Sequence, residues 1–262
     1  MHGSGENITG SYRENGTDSV PNLPRDSHAD SQRDAAFAEA LSNARSAWMT
    51  VMSAHFNRLG VVEFPPQPYF APHHLQNCVV VPYRDDIFER MPTRGRIAEL
   101  GVQTGELSRY IWETCTPAEL HLIDVDLTTW KVAEKFADEI AQGGVVLHEA
   151  DSADTIAAFP DGYFDFVYID ADHSYEGATR DIAAAKTKVA PNGFLLFNDY
   201  TFWSPTECMP YGVVRAVNEL CLDDDWEFAY LALGNFGYMD VALRRRKKRF
   251  MASLMRMIFK RT

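Results

Sequence analysis

Apolar residues recur at intervals of three and four between Asp34 and Leu59, at Phe37, Leu41, Ala44, Trp48 and Val51. That spacing predicts an amphipathic helix with Gly60 as its C-cap. From Arg94 onward the pattern changes. The short apolar runs RIAEL (96–100), ELHLID (119–124), GVVLHEAD (144–151), FDFVYID (164–170) and GFLLFND (193–199) read as strands, with helix-like segments at 105–115, 128–141, 152–158 and 174–189 between them. Strand and helix in alternation predict a Rossmann-like doubly wound α/β fold, its sheet mostly parallel and covered by helices on both faces. WEFAYLAL (226–233) and YMDVALR (238–244), joined through Gly234 to Gly237, predict a C-terminal antiparallel hairpin.

The remaining segments set the boundaries. Residues 1–33 are rich in Gly, Ser, Asn, Asp and Arg and predict a disordered tail, because so few apolar groups cannot offset the entropy of ordering. Within VVEFPPQPYFAPHHLQN (61–77) four prolines argue against regular structure, and His73 and His74 sit among aromatics. The chain thus divides into the tail, an N-terminal helix and Pro-rich loop (34–76), an α/β domain (77–245) and a C-terminal tail (246–262).

Composition narrows the function. The net charge of −12 hides an asymmetry: nine Lys or Arg and no acid lie between Arg244 and Thr262, while the body before them is strongly acidic. An acidic body argues against nucleic-acid binding. In the tail, Met251, Leu254, Met255 and Ile258 share one helical face and Arg249, Ser253, Arg256 and Lys260 another. This pattern suits peripheral contact with the inner face of a membrane, or docking on the acidic body, or free solvation. Four cysteines without a CxxC pair read as free thiols, and the absence of an export signal or a long apolar run reads as a soluble, cytoplasmic chain. Homo-oligomerisation is left open.

In a doubly wound sheet, ligands bind beyond the carboxyl ends of the strands. Those ends carry Glu99, Gly101 and Gly105, then Asp124, Asp151, Asp170, and Asn198 with Asp199. One acid at such a position reads as a helix cap; five strands ending this way are poorly explained by capping. Gly101 and Gly105 let the backbone approach a ligand closely, whereas Glu99 repels phosphate and suits a cationic group. Neither GxGxxG nor GxxxxGK[ST] occurs, which weakens dinucleotide and triphosphate readings.

AELGVQTG, the acid of LIDVD, EADS, YIDADHSYE and FNDY together resemble class I S-adenosylmethionine-dependent methyltransferases, and more narrowly the bacterial macrolide-sugar and aminocoumarin-sugar O-methyltransferases. The resemblance implies that Glu99, Gly101 and Gly105 line the methionine and sugar portions of S-adenosylmethionine, that Asp124 takes the ribose hydroxyls, and that Asp151 and Ser152 face the adenine. It implies a divalent cation, Mg2+ by the oxygen ligands, at Asp170, Asn198 and Asp199, with His173 as general base toward a hydroxyl on a small molecule or glycan. The chemistry needs both. Ionising an aliphatic hydroxyl of pKa roughly 16 at pH 7 costs on the order of 12 kcal/mol, of which a positioned base supplies only about 3 to 5. Bland roles stay open, with His173 donating to a backbone carbonyl and Asp172 capping the following helix. So do other functions: a metal-dependent glycosyltransferase using Asp170-x-Asp172, an oxygenase-like relative on the same fold, and a non-catalytic membrane-associated adaptor.

Overall fold

A computed structural model of the chain describes residues 27–59, 70–234 and 237–246. Two compact units divide it, residues 1–65 and 66–262. The first contributes one helix, α1 (Ser27–Leu59). It starts seven residues before the expected Asp34. Part of the expected disordered tail is therefore helical, and residues 1–26, Gly60 and the basic face around Arg249 to Lys260 lie outside the described residues. Phe37, Leu41 and Val51 of the apolar stripe are exposed.

The second unit is built on an eight-stranded sheet. Its strands are β1 (Val79–Val81), β2 (Arg96–Leu100), β3 (Glu119–Asp124), β4 (Val145–Glu149), β5 (Phe164–Ile169), β6 (Val189–Phe197), β9 (Trp226–Ala232) and β10 (Asp240–Arg245). The short strands β7 (Trp203–Ser204) and β8 (Met209–Pro210) pair separately. The order across the sheet is β1-β9-β10-β6-β5-β2-β3-β4, and β10 alone runs antiparallel to its neighbours. Fold class and hairpin follow the hydrophobic pattern. The helices are α2 (Pro72–Leu75), α3 (Arg84–Phe88), α4 (Glu106–Cys115), α5 (Val132–Lys135), α6 (Ala137–Ala141), α7 (Ser152–Ala157), α8 (Tyr175–Ala185) and α9 (Val213–Asp224).

Burial on both faces explains the continuous apolar runs. Ala98, Leu100, Val167 and Ile169 pack on the side of α8 and α9, while Ile97, Phe166 and Tyr168 pack on the side of α3 and α4. Several features of this unit depart from the pattern, among them β1, α3, the β7–β8 pair and α9, which it does not predict. The segment expected as one helix over 128–141 breaks into α5 and α6 at Phe136, which the core buries completely. The Pro-rich loop contains α2, because Pro72 occupies the first helical position, where its missing N–H costs nothing. Since α2 packs beside β9, the sheet unit begins before the expected residue 77.

The turn after β2 is constrained by its neighbour. Gly101 has φ +85, and a Cβ there would lie 2.0 Å from the backbone oxygen of Asp170. We expect Gly101→Ala to destabilise the protein by more than about 2 kcal/mol, from left-handed strain plus the clash. Thermal unfolding should register this as a drop of at least about 4 °C; an unchanged melting temperature would mean that the two loops are not pressed together.

Candidate functional site

Sequence order along the sheet reverses between β2 and β5, so the loops that leave these strands diverge and open a crevice at their carboxyl ends. The hydrogen-bond ladder continues past the strands into that crevice. Gly101 N donates to Ile123 O at 2.9 Å, Asp170 N to Leu100 O at 2.8 Å, and Asn198 N to Ile169 O at 3.0 Å. The polar residues expected there are thus tied to one another through main chain.

Glu99 is the innermost of them. It is 1% exposed, and its Oε2 has no hydrogen-bond partner. Burial pushes the carboxyl up to about 8, with the nearby Ser108 hydroxyl of α4 opposing and the charge of Asp170 adding to the rise. Asp124, at the end of β3, fastens the glycine turn: its Oδ2 accepts from Val102 N at 2.7 Å and Gln103 N at 3.0 Å, and its Oδ1 from Asp126 N at 2.9 Å. Oδ2 thus uses both of its lone pairs on the turn, and Oδ1 keeps one. Gly105 is the N-cap of α4 at φ +74.

Asp151 and Ser152 have partners of their own. Asp151 caps α7 by accepting from Asp154 N at 2.9 Å, and Arg180 grips both its oxygens at 2.7 and 2.8 Å. That amide and that guanidinium hold its carboxyl below the usual range. Ser152 Oγ donates to Asp181 Oδ1 at 2.7 Å. Asp172 Oδ1 accepts from Ser174 N at 2.8 Å, and Ser174 is the N-cap of α8, so Asp172 leads the chain into that helix.

On the far side of Glu99 the structure brings four expected residues together. His173 Nε2 lies 3.3 Å from Asp170 Oδ1 and 3.8 Å from Asp199 Oδ2. The Asn198 amide is satisfied with Nδ2 donating to Asp199 Oδ1 and Asp170 Oδ1, each at 2.9 Å, and Oδ1 accepting from Arg84 Nη1 at 3.2 Å. Asp199 holds φ +52, and burial followed by the charge of Asp170 pushes its carboxyl up to about 7. For His173, burial is the largest influence and disfavours the imidazolium. Asp170, Asp199 and Glu207 together override it and raise the pKa. The imidazole stacks on Tyr211, with ring centroids 4.5 Å apart and planes 7° apart.

Behind the acids lies a layer that the sequence pattern does not reveal. Arg84 Nη1 donates to the Tyr168 hydroxyl at 3.1 Å, and that hydroxyl to Asp240 Oδ2 at 3.0 Å. Burial pushes Asp240 up to about 6, with Arg84 opposing. The acid inside the apolar YMDVALR run is the available signal for Asp240; Arg84 and Tyr211 carry none. Two carboxylates and an amide suit a hard divalent cation once Asn198 turns to present Oδ1, and Nδ2 otherwise bridges the carboxylates. Among the described residues, the group of three His, Cys, Asp or Glu side chains whose ligand atoms all lie within 4.8 Å of one another is elsewhere, at His73, His74 and Asp225.

Residues 98–200 match the family model described as a methyltransferase domain, a span that contains Glu99, Gly101, Asp124, Asp170, His173, Asn198 and Asp199. No curated protein matches the chain. Among solved structures it is similar to the pyocyanin biosynthetic protein PhzM, at 14% identity over 60% of this chain and 54% of that one, with a TM-score of 0.46. It is also similar to a SAM-dependent methyltransferase from Aquifex aeolicus (13% identity, 62% and 89% covered, TM-score 0.47). A third similar structure is an O-methyltransferase family protein from Burkholderia thailandensis (15% identity, 63% and 56% covered, TM-score 0.49). The chain spans about half the length of the first and third of these. Among the described residues no helix is long and apolar enough to cross a membrane.

The buried Glu99 gives a pH dependence. Its folded pKa of about 8 lies above the unfolded value, so between the two the folded state binds more protons and this group's contribution to stability falls as pH rises. Without ligand, Glu99→Gln should therefore raise the melting temperature at pH 8 by about 2 to 4 °C for each kcal/mol recovered, and much less at pH 5. Equal shifts at both pH values would place the carboxylate in a solvated setting.

Proposed function

We propose that this chain is an S-adenosylmethionine-dependent methyltransferase that methylates a hydroxyl oxygen on a sugar or other small molecule with a divalent cation, Mg2+ by ligand chemistry, at Asp170, Asn198 and Asp199. The observation that carries the reading is the pairing of two unlike polar groups on adjacent strands. The unpartnered Glu99 Oε2 lies under one loop, and His173 Nε2 faces Asp170 and Asp199 under the next. The narrower likeness to macrolide-sugar and aminocoumarin-sugar enzymes rests on YIDADHSYE and FNDY.

S-adenosylmethionine supplies an electrophilic methyl group on a sulfonium. Glu99 suits the ammonium of its methionine portion, since a buried acceptor without a donor is costly until one arrives. Asp124 retains one lone pair, on Oδ1, for a ribose hydroxyl, and Gly101 and Gly105 leave the backbone bare nearby. Asp151 and Ser152 take the adenine side in this reading, with Asp151 held still by Arg180. His173 receives the acceptor's proton at Nε2, its ring oriented by Tyr211. To accept a proton it must be neutral. With Asp170 and Asp199 neutralised by a cation, Glu207 would be the one remaining charge of the three that raise its pKa, and burial, the largest influence, would favour the neutral ring. Arg84, Tyr168 and Asp240 position Asn198 and the acids from behind.

Release of S-adenosylhomocysteine, screened over sugar, phenol and glycolipid acceptors with EDTA and with Mg2+, tests the proposal. Asp170→Ala should lose turnover with no rescue by excess Mg2+. His173→Ala should lose about 10²- to 10⁴-fold in the chemical step and partly recover at higher pH. Full wild-type turnover in EDTA after exhaustive metal removal would contradict the cation and leave His173 as the sole activator.

A further inference from the structure

The cluster outside the candidate site is the histidine pair of the Pro-rich segment. β9 runs parallel to β6 and β5, so Asp225, immediately before it, lies at the sheet edge opposite to Asp170 and Asp199. α2 precedes β1, which pairs in parallel with β9, and this brings His73 and His74 to the same edge. Their Nε2 atoms are 3.0 Å apart and their ring centroids 4.1 Å apart. His74 is 6% exposed, wedged edge-on against Phe70. With Asp225, the three side chains offer one ligand atom each, all within 4.8 Å of one another.

We propose that His73, His74 and Asp225 bind a borderline divalent transition metal of the Zn2+ class, fastening α2 to the turn between α9 and β9. Two nitrogens about 2.1 Å from one ion stand roughly 3.0 to 3.4 Å apart at angles of about 90 to 110°, and the observed separation falls at that lower bound. Two imidazoles with one carboxylate select such an ion over Mg2+, which takes oxygen ligands. The carboxylate is already oriented. Asp225 sits in the left-handed region at φ 61, and Arg246 donates to both its oxygens, Nε to Oδ1 at 2.5 Å and Nη2 to Oδ2 at 2.9 Å. Arg246 thus acts as the outer partner that ligating carboxylates usually have. Its charge opposes a cation, and the affinity is correspondingly moderate.

The site is independent of the proposed methyl transfer. The test is calorimetric titration of tag-free, full-length protein with Zn2+ in excess Mg2+, paired with thermal unfolding. Wild type and the double variant Asp170→Asn/Asp199→Asn should each bind one equivalent and melt higher with Zn2+. His73→Ala, at a half-buried position, should bind more than about 100-fold more weakly and lose that shift, because removing a ligand exceeds the cost of losing an outer partner. No Zn2+ binding by wild type, or binding in His73→Ala equal to wild type, would overturn the proposal.

Discussion

Three main-chain hydrogen bonds hold the candidate site together, those from Gly101 to Ile123, Asp170 to Leu100 and Asn198 to Ile169. They extend the parallel ladder by one residue beyond each strand, so the side chains that follow are placed by the sheet rather than by flexible loops. Gly101 makes the extension possible, since any Cβ there would enter the Asp170 carbonyl. Asp124 secures the same turn from β3 through two backbone amides. Side chains placed by a ladder in this way are oriented by main chain, which is what the proposed methyl transfer would require.

That placement has an electrostatic consequence. Glu99, Asp199 and Asp240 are all buried, and burial is the largest influence raising each carboxyl. Arg84 opposes the rise at each of the three, and His173 does so at Asp199. The fold therefore holds acids that a cationic ligand would relieve, on the two sides of Gly101. An ammonium at one and a divalent ion at the other would each restore ionisation that burial disfavours.

The sheet was legible because parallel strands buried on both faces leave continuous apolar runs, and all five runs from RIAEL to GFLLFND became strands. α9 escaped notice: VVRAVNELCLDD follows a turn-rich stretch without a clear start signal, and only packing of Val213, Val217 and Leu220 defines it. α1 was legible from its period, though its start was not, since residues 27–33 contribute no apolar stripe. The polar strand ends were visible as residue types, but spacing could not separate caps from ligands. Asp151 caps α7 and pairs with Arg180, whereas Glu99 lacks a partner for Oε2, a distinction that only burial and contacts reveal. Arg84 and Tyr211 reach the site from segments distant in sequence, which no local pattern encodes.

The central claim is that Glu99 belongs to the methyl-donor half of the crevice and Asp170 to the acceptor half. Calorimetric titration with S-adenosylmethionine, in EDTA, of wild type, Glu99→Gln and Asp170→Asn measures this directly. The account predicts one equivalent bound by wild type, affinity about tenfold or more weaker in Glu99→Gln, on the scale of a hydrogen bond to a charged group, and little change in Asp170→Asn. No binding by wild type, or a loss confined to Asp170→Asn, would contradict it.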